Sequence, residues 1–153
     1  MSLALPTAGD TRALGARLGA VLRAGDLVIL TGRLGAGKTT LVQGIGEGLD
    51  AEGRIASPTF VIARVHPSRL PGRPTLVHVD AYRLGSLAEV EDLDLEVEAE
   101  DAVTVVEWGH GLVEQLADAR LEITLERAAD TDERTATLAG HGGDWARRIA
   151  ELG

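Results

Sequence analysis

Leu27-Val28-Ile29-Leu30-Thr31-Gly32-Arg33-Leu34-Gly35-Ala36-Gly37-Lys38-Thr39-Thr40-Leu41-Val42 is the stretch on which the fold turns. Its first four residues are a short apolar run rich in branched side chains, the pattern of a parallel strand buried on both faces. Beyond the glycines, Leu41, Ile45 and Leu49 recur four apart on one face of a helix. Between strand and helix, Gly32 to Thr39 fits G-x-x-x-x-G-K-[ST] at every specified position. Glycines let successive backbone N–H groups curl around a phosphate. A helix opening near Lys38 points the positive end of its dipole at the same anion. The bland alternative is a flexible glycine turn, but strand, turn and helix in this order are the context the phosphate-binding pattern demands.

The choice of cation sharpens the reading. Of 15 basic side chains only Lys38 is a lysine; every other is an arginine. An ammonium on a flexible stem reaches between two phosphates as a point charge, which a planar guanidinium does less well. In this geometry Lys38 spans the β- and γ-phosphates of a nucleoside triphosphate and the Thr39 hydroxyl holds Mg²⁺, while Thr40 continues the first helical turn.

Working outward, 153 residues suffice for one domain with a real core, so a single domain over 1–153 is expected. No apolar run approaches membrane-spanning length and no signal segment is indicated, which makes a cytoplasmic protein with no membrane partner the expectation. Cysteine is absent, which excludes disulfides, thiolate metal sites and cysteine nucleophiles. A net charge of −9 argues against strong independent binding of nucleic acid. Arg64, Arg69 and Arg73 form a local basic group, read here as solvated loop arginines.

Upstream of the loop, Asp10 or Thr11 caps a predicted helix running to about Ala24, with Leu14, Leu18, Val21 and Leu22 on its apolar face. Downstream, Gly44, Gly46 and Gly48 weaken the helical pattern. Strands are expected at Phe60–Val65, at Thr75–Val79 ending on Asp80, and at Ala102–Val106 ending on Glu107. Leu121–Leu125 and Thr135–Leu138 read as a late antiparallel pair, and Gly143–Leu152 as a closing helix. The ambiguous Leu84–Asp101 segment is read as a helix, its eight acids from Glu89 to Asp101 forming a solvated face.

A phosphate-loop enzyme needs a second acid at the end of a strand beside the loop strand. Asp80 and Glu107 both qualify, one to hold the metal and the other to orient or deprotonate the attacking water. The residues do not divide these roles. His78 shares the sheet face of Asp80, and a zinc site there lacks a third ligand at recognisable spacing. Trp108 is either a core ring or a stacking surface. With no asparagine and its only lysine in the loop, the chain cannot carry the N-K-x-D guanine signature, so ATP is the nucleotide by elimination.

Four ordered segments also resemble one family. They are Gly32-x-Leu34-Gly35-Ala36-Gly37-Lys38-Thr39-Thr40, Ser57-Pro58-Thr59-Phe60, His78-Val79-Asp80-Ala81-Tyr82-Arg83-Leu84 and Val106-Glu107-Trp108. In order and spacing they resemble the TsaE (YjeE) family, the bacterial ATPases of the machinery that makes threonylcarbamoyladenosine (t6A) beside the tRNA anticodon. The resemblance implies a P-loop NTPase-like, three-layer α/β fold with a mixed, mainly parallel central sheet. It implies weak Mg²⁺-dependent ATPase activity in support of a TsaB–TsaD pair, with tRNA met only through those partners. The sequence does not give the oligomeric state, and a monomer is the expectation for the chain alone. Carried over, Gly32, Leu34, Gly35, Ala36, Gly37, Lys38, Thr39 and Thr40 cradle the nucleotide, and Thr39 with Glu107 holds Mg²⁺. Asp80 becomes an essential acid near the γ-phosphate, acting with Lys38 and Glu107. Thr59 lies in a loop resembling a switch that senses that phosphate, and Trp108 joins the nucleotide-binding residues. Arg33, Asp94 and His110 depart from the usual pattern, and the C-terminal third matches loosely. The rival class is a phosphotransferase using Asp80 as base toward a small-molecule hydroxyl, with Pro67–Pro74 as a short lid. A nucleotide-gated binding module with negligible turnover is a third.

Overall fold

Two short polar side chains decide where the first helix begins. Thr7 Oγ1 accepts from the Asp10 N–H at 3.2 Å while Asp10 Oδ2 accepts from the Thr7 N–H at 2.9 Å, a reciprocal capping box. Asp10 is therefore the third helical residue and not the cap, and helix α1 runs from Ala8 to Val21. The structure, a computed structural model, describes residues 1–33, 35–53, 55, 63–80, 101–107, 119–131 and 133–152, with the backbone alone for Ala63 and Asp80.

The strands are β1 (Ser2–Leu5), β2 (Leu27–Gly32), β3 (Ala63–His66), β4 (Thr75–Asp80), β5 (Ala102–Glu107), β6 (Arg120–Arg127) and β7 (Arg134–His141), and the remaining helices are α2 (Lys38–Gly48) and α3 (Trp145–Ala150). They form one sheet in the order β1-β7-β6-β2-β5-β4-β3. The four central strands β6, β2, β5 and β4 are mutually parallel; on one side β7 pairs antiparallel with β6 and β1 antiparallel with β7, and on the other β3 pairs antiparallel with β4. This is the expected mixed α/β architecture of P-loop NTPase type.

Strands β2, β4 and β5 are buried on both faces, as expected of parallel strands flanked by neighbours, whereas β6 alternates, burying Leu121, Ile123 and Leu125 and leaving Glu122 and Thr124 partly exposed. One face carries Val28, Leu30, Leu76, Val103, Val105, Leu121, Ile123 and Leu125 into a core shared with Leu14 and Leu18 of α1, Leu41 and Ile45 of α2, and Trp145 of α3. The other carries Ile29, Val77, Val79, Thr104 and Val106, which are buried as completely. The closing helix is held by Arg148, whose guanidinium donates to Asp26 Oδ2 at 2.6 Å and Oδ1 at 3.0 Å. It lies 4.0 Å over the Trp145 ring. Its bond to Asp26 above all keeps Arg148 charged beyond its usual range. That pair ties α3 to the turn that enters β2.

The glycines of α2 have a role that a propensity scale misses. A Cβ on Gly15 would stand 2.8 Å from Gly44 Cα, and one on Gly19 would stand 2.7 Å from Gly48 Cα. These four glycines let α1 and α2 approach backbone to backbone. What reads in sequence as weakness in α2 is the seam that positions it. Arg73, expected as a solvated loop arginine, is drawn into this seam: its Nη2 donates to the carbonyls of Gly19 at 2.9 Å and Gly48 at 2.8 Å. Both carbonyls belong to helix ends that lack an intrahelical partner.

Other differences are at the margins. β1 has no counterpart in the sequence reading, being four residues that pair with β7. Of the expected Phe60–Val65 strand, residues 60–62 lie outside the described residues and the rest is found in β3, which runs on to His66; α3 is shorter than expected at both ends. The predicted Leu84–Asp101 helix lies outside the described residues but for Asp101.

Candidate nucleotide site

Strand β2 ends at Gly32 and helix α2 begins at Lys38, so five residues turn the chain at the carboxyl edge of the parallel strands. Ligands of open α/β sheets bind at that edge. Within the turn Gly35 has φ +81° and Gly37 φ +100°, left-handed conformations that favour glycine. The Ala36 N–H donates to the Arg33 carbonyl at 3.0 Å and closes the bend. Thr39 and Thr40 follow in the first turn of α2, both partly exposed.

Lys38 is only 7% exposed although it carries a charge. Its Nζ donates to the carbonyls of Gly32 at 2.5 Å and Arg33 at 3.1 Å. The side chain thus folds back along the loop and places its ammonium at the end of β2. Buried cations need partners, and carbonyl oxygens are partners that a stronger anion can replace.

The two acids end neighbouring strands. In the parallel pairing of β4 with β5, Asp80 stands in register with Glu107, and Glu107 is in turn in register with Leu30 of β2. Glu107 is 4% exposed and His78 fully buried, and Nε2 of His78 lies 2.5 Å from Oε2 of Glu107. A carboxylate only accepts, so Nε2 carries the hydrogen and donates. The sequence reading placed His78 on the face of Asp80; its diagonal bond across to Glu107 was not legible there. Among the described residues no cluster of three or more His, Cys, Asp or Glu side chains could hold a metal, and His78 is used by Glu107.

A second residue missed in the sequence is Arg134, the first of β7. Its Nε donates to the Ala36 carbonyl at 3.1 Å and its Nη2 to the Gly35 carbonyl at 3.2 Å. A separation of 98 residues hides that contact from any local pattern. Of the expected site residues, the structure brings Gly32, Gly35, Ala36, Gly37 and Lys38 into one loop, starts α2 with Lys38, Thr39 and Thr40, and aligns the strand ends at Asp80 and Glu107. Leu34, Thr59, Trp108 and the side chain of Asp80 lie outside what is described. Arg73, which lies in the Pro67–Pro74 segment of the rival reading, is bonded to the α1–α2 seam.

Could these residues hold a nucleotide with its metal? The loop has the left-handed glycines and the cation of a polyphosphate cradle, and a Cβ on Gly35 would meet nothing within 4 Å, which leaves open space on that side. A carboxylate and a threonine hydroxyl are the hard oxygen donors that Mg²⁺ prefers. The residues present fit the group.

A parallel-centred sheet with such a loop between strand and helix is the mark of a P-loop NTPase-like protein. Comparison with known proteins narrows this. The family model for threonylcarbamoyl adenosine biosynthesis protein TsaE matches residues 5–136. A tRNA threonylcarbamoyladenosine biosynthesis protein TsaE from Streptomyces coelicolor is 61% identical over 139 residues, covering 88% of this chain and 93% of its own. Its namesake from Bacillus subtilis is 39% identical, covering 94% and 87%. The crystal structure of Bacillus subtilis YdiB superposes with a TM-score of 0.78 at 32% identity, over 99% of this chain and 93% of that one. The chain belongs to the TsaE family, whose members are named for tRNA threonylcarbamoyladenosine biosynthesis. No helix among the described residues is long and apolar enough to cross a membrane.

Proposed function

We propose that this chain binds ATP with Mg²⁺ in the Gly32–Thr40 loop, hydrolyses it slowly, and supports the t6A modification of tRNA together with a TsaB–TsaD pair. The observation that carries this reading is the buried ammonium of Lys38, held by loop carbonyls at the end of a parallel strand. A polyphosphate offers that ammonium full negative charge in place of carbonyl dipoles.

Placement supports the following division of labour. The loop amides and the N-terminal turn of α2 bind the phosphates, with Lys38 neutralising charge between them. With Oε2 of Glu107 engaged by His78, Oε1 is the oxygen left for a cation, in concert with the Thr39 hydroxyl. When bound, Mg²⁺ supplies charge neutralisation at the phosphate oxygens. Asp80 ends the adjacent strand in register with Glu107, the place from which a second acid orients the attacking water. A soluble cytoplasmic setting, a monomeric chain and one domain over 1–153 belong to the same proposal. So do Thr59 and Trp108 as nucleotide contacts.

The test is a binding titration with ATP and Mg²⁺, followed by turnover with and without TsaB and TsaD. Lys38→Ala is expected to weaken ATP by about a hundredfold, the loss of a charge-assisted contact to a polyphosphate. Turnover of the unsubstituted chain is expected to be low and to rise when the pair is added. Equal ATP affinity in both forms would remove the nucleotide reading, and transfer of label from ATP to a small acceptor would favour a phosphotransferase.

A further inference from the structure

The loop does not hold its shape unaided. We infer that Arg134 is a positioning residue for the polyphosphate, fixing the orientation of the loop peptides from outside the cradle; this rests on the nucleotide reading of the site. The two carbonyls that Arg134 grips belong to successive peptide units, Gly35–Ala36 and Ala36–Gly37. The chain has no cis peptide bond among the described residues, and across a trans peptide the N–H points opposite to the C=O. Fixing the Gly35 carbonyl therefore directs the Ala36 N–H away from the guanidinium, toward the Arg33 carbonyl it meets at 3.0 Å. Fixing the Ala36 carbonyl likewise directs the Gly37 N–H to the side of the loop away from Arg134, where an anion can accept from it.

Three features make this a built contact. Arg134 uses two donors of one planar fork on two neighbouring carbonyls, which restrains rotation of both peptides together. A Cβ on Gly37 would stand 3.2 Å from Arg134 Nε, so the guanidinium lies directly against the left-handed residue before Lys38. And the anchor is rigid: Arg134 is in register with Arg127 of β6 and Leu5 of β1, paired on both sides. In a chain of net charge −9 it also adds a positive charge behind a loop that must receive an anion.

Because the contact is to the loop and not to the reacting atoms, its loss should act on binding and spare the chemical step. Arg134→Gln is expected to weaken ATP and ADP alike, by about tenfold, with kcat at saturation within about twofold. Arg134→Lys, which keeps the charge but not the fork, should fall between Gln and the unsubstituted chain. Hydrogen exchange of the amides at 35–38, measured without nucleotide, should quicken in Arg134→Gln while the β6–β7 ladder stays as protected as before. That pattern separates a loop brace from a residue that merely stabilises β7. Unchanged affinity for both nucleotides with unchanged loop exchange would overturn the inference, as would faster exchange along the whole of β7. If the unsubstituted chain binds no nucleotide, it is the proposed function that fails, and the exchange comparison still decides whether Arg134 holds the loop.

Discussion

Two glycine-rich regions flank α2, and they use the same residue for opposite reasons. In the loop, Gly35 and Gly37 have left-handed backbones. In the α1–α2 seam, Gly15, Gly19, Gly44 and Gly48 lie in ordinary helix, and what they provide is the absence of a side chain, since each added Cβ would collide with the backbone of the facing helix. Each region is also fastened by a distant arginine that spends its donors on backbone carbonyls, Arg134 on the loop and Arg73 on the seam. One end of α2 is therefore limited by conformation and the other face by space. Substitutions should tell the two apart, because strain at a φ angle is local whereas a backbone collision moves a helix.

The largest effect is expected at Gly44. Its added Cβ would fall within contact distance of the Arg12 carbonyl oxygen and 2.9 Å from Gly15 Cα, and neither can swing away as a side chain can. Gly44→Ala gains helix propensity, yet over-packing against backbone outweighs that gain, and a net loss of about 3 kcal/mol is expected in urea unfolding. Gly46→Ala is the matched control in the same helix. There the nearest atom is the tip of the Ile55 side chain, which can rotate, so the loss should be clearly smaller. Equal costs at 44 and 46 would break the claim that the seam is limited by space.

Arg73 comes next. Arg73→Ala leaves the Gly19 and Gly48 carbonyls at two helix C-termini without their donor, and removes a cation from the negative end of both dipoles. The side chain is partly exposed, so water recovers some of the loss and about 1–2 kcal/mol is expected by the same unfolding measurement. ATP affinity should stay unchanged. A drop in affinity as large as that of Arg134→Gln would mean that the two arginines are not divided between seam and loop.

What could be read from the sequence follows this division as well. The β2–loop–α2 unit was legible because strand run, glycine spacing and helical periodicity are all local, and each pointed to the same element. The ends of β4 and β5 were legible for the same reason, and they delivered Asp80 and Glu107 to adjacent strands. The start of α1 was misplaced because Asp10 fits an N-cap as well as the third position of a capping box, and only the partner Thr7 distinguishes them. Gly44 and Gly48 were read against a propensity scale for an isolated helix, although tertiary packing is what selects them. Arg73, Arg134 and the His78–Glu107 bond join residues 25 to 99 positions apart, and no periodicity encodes such pairs. The expected switch at Ser57–Thr59 and the surroundings of Trp108 fall outside the described residues, so the structure does not bear on them.

The smallest change in stability is expected at Gly35, and it is the sharpest probe of the loop. Its φ of +81° costs an L-residue about 1 kcal/mol, but a Cβ there meets nothing within 4 Å. Gly35→Ala should therefore fold with nearly full stability. What it loses is ease in the left-handed conformation whose carbonyl Arg134 grips at 3.2 Å. Relaxing that residue toward negative φ turns the following peptide, and the Ala36 N–H with it, so ATP affinity should fall by about tenfold while urea unfolding moves little. Gly44→Ala is expected to do the reverse, unfolding readily yet binding ATP nearly normally in its folded fraction. If Gly35→Ala left affinity untouched, the left-handed turn would be incidental to phosphate binding; if it unfolded the chain as Gly44→Ala does, the loop would be limited by packing after all.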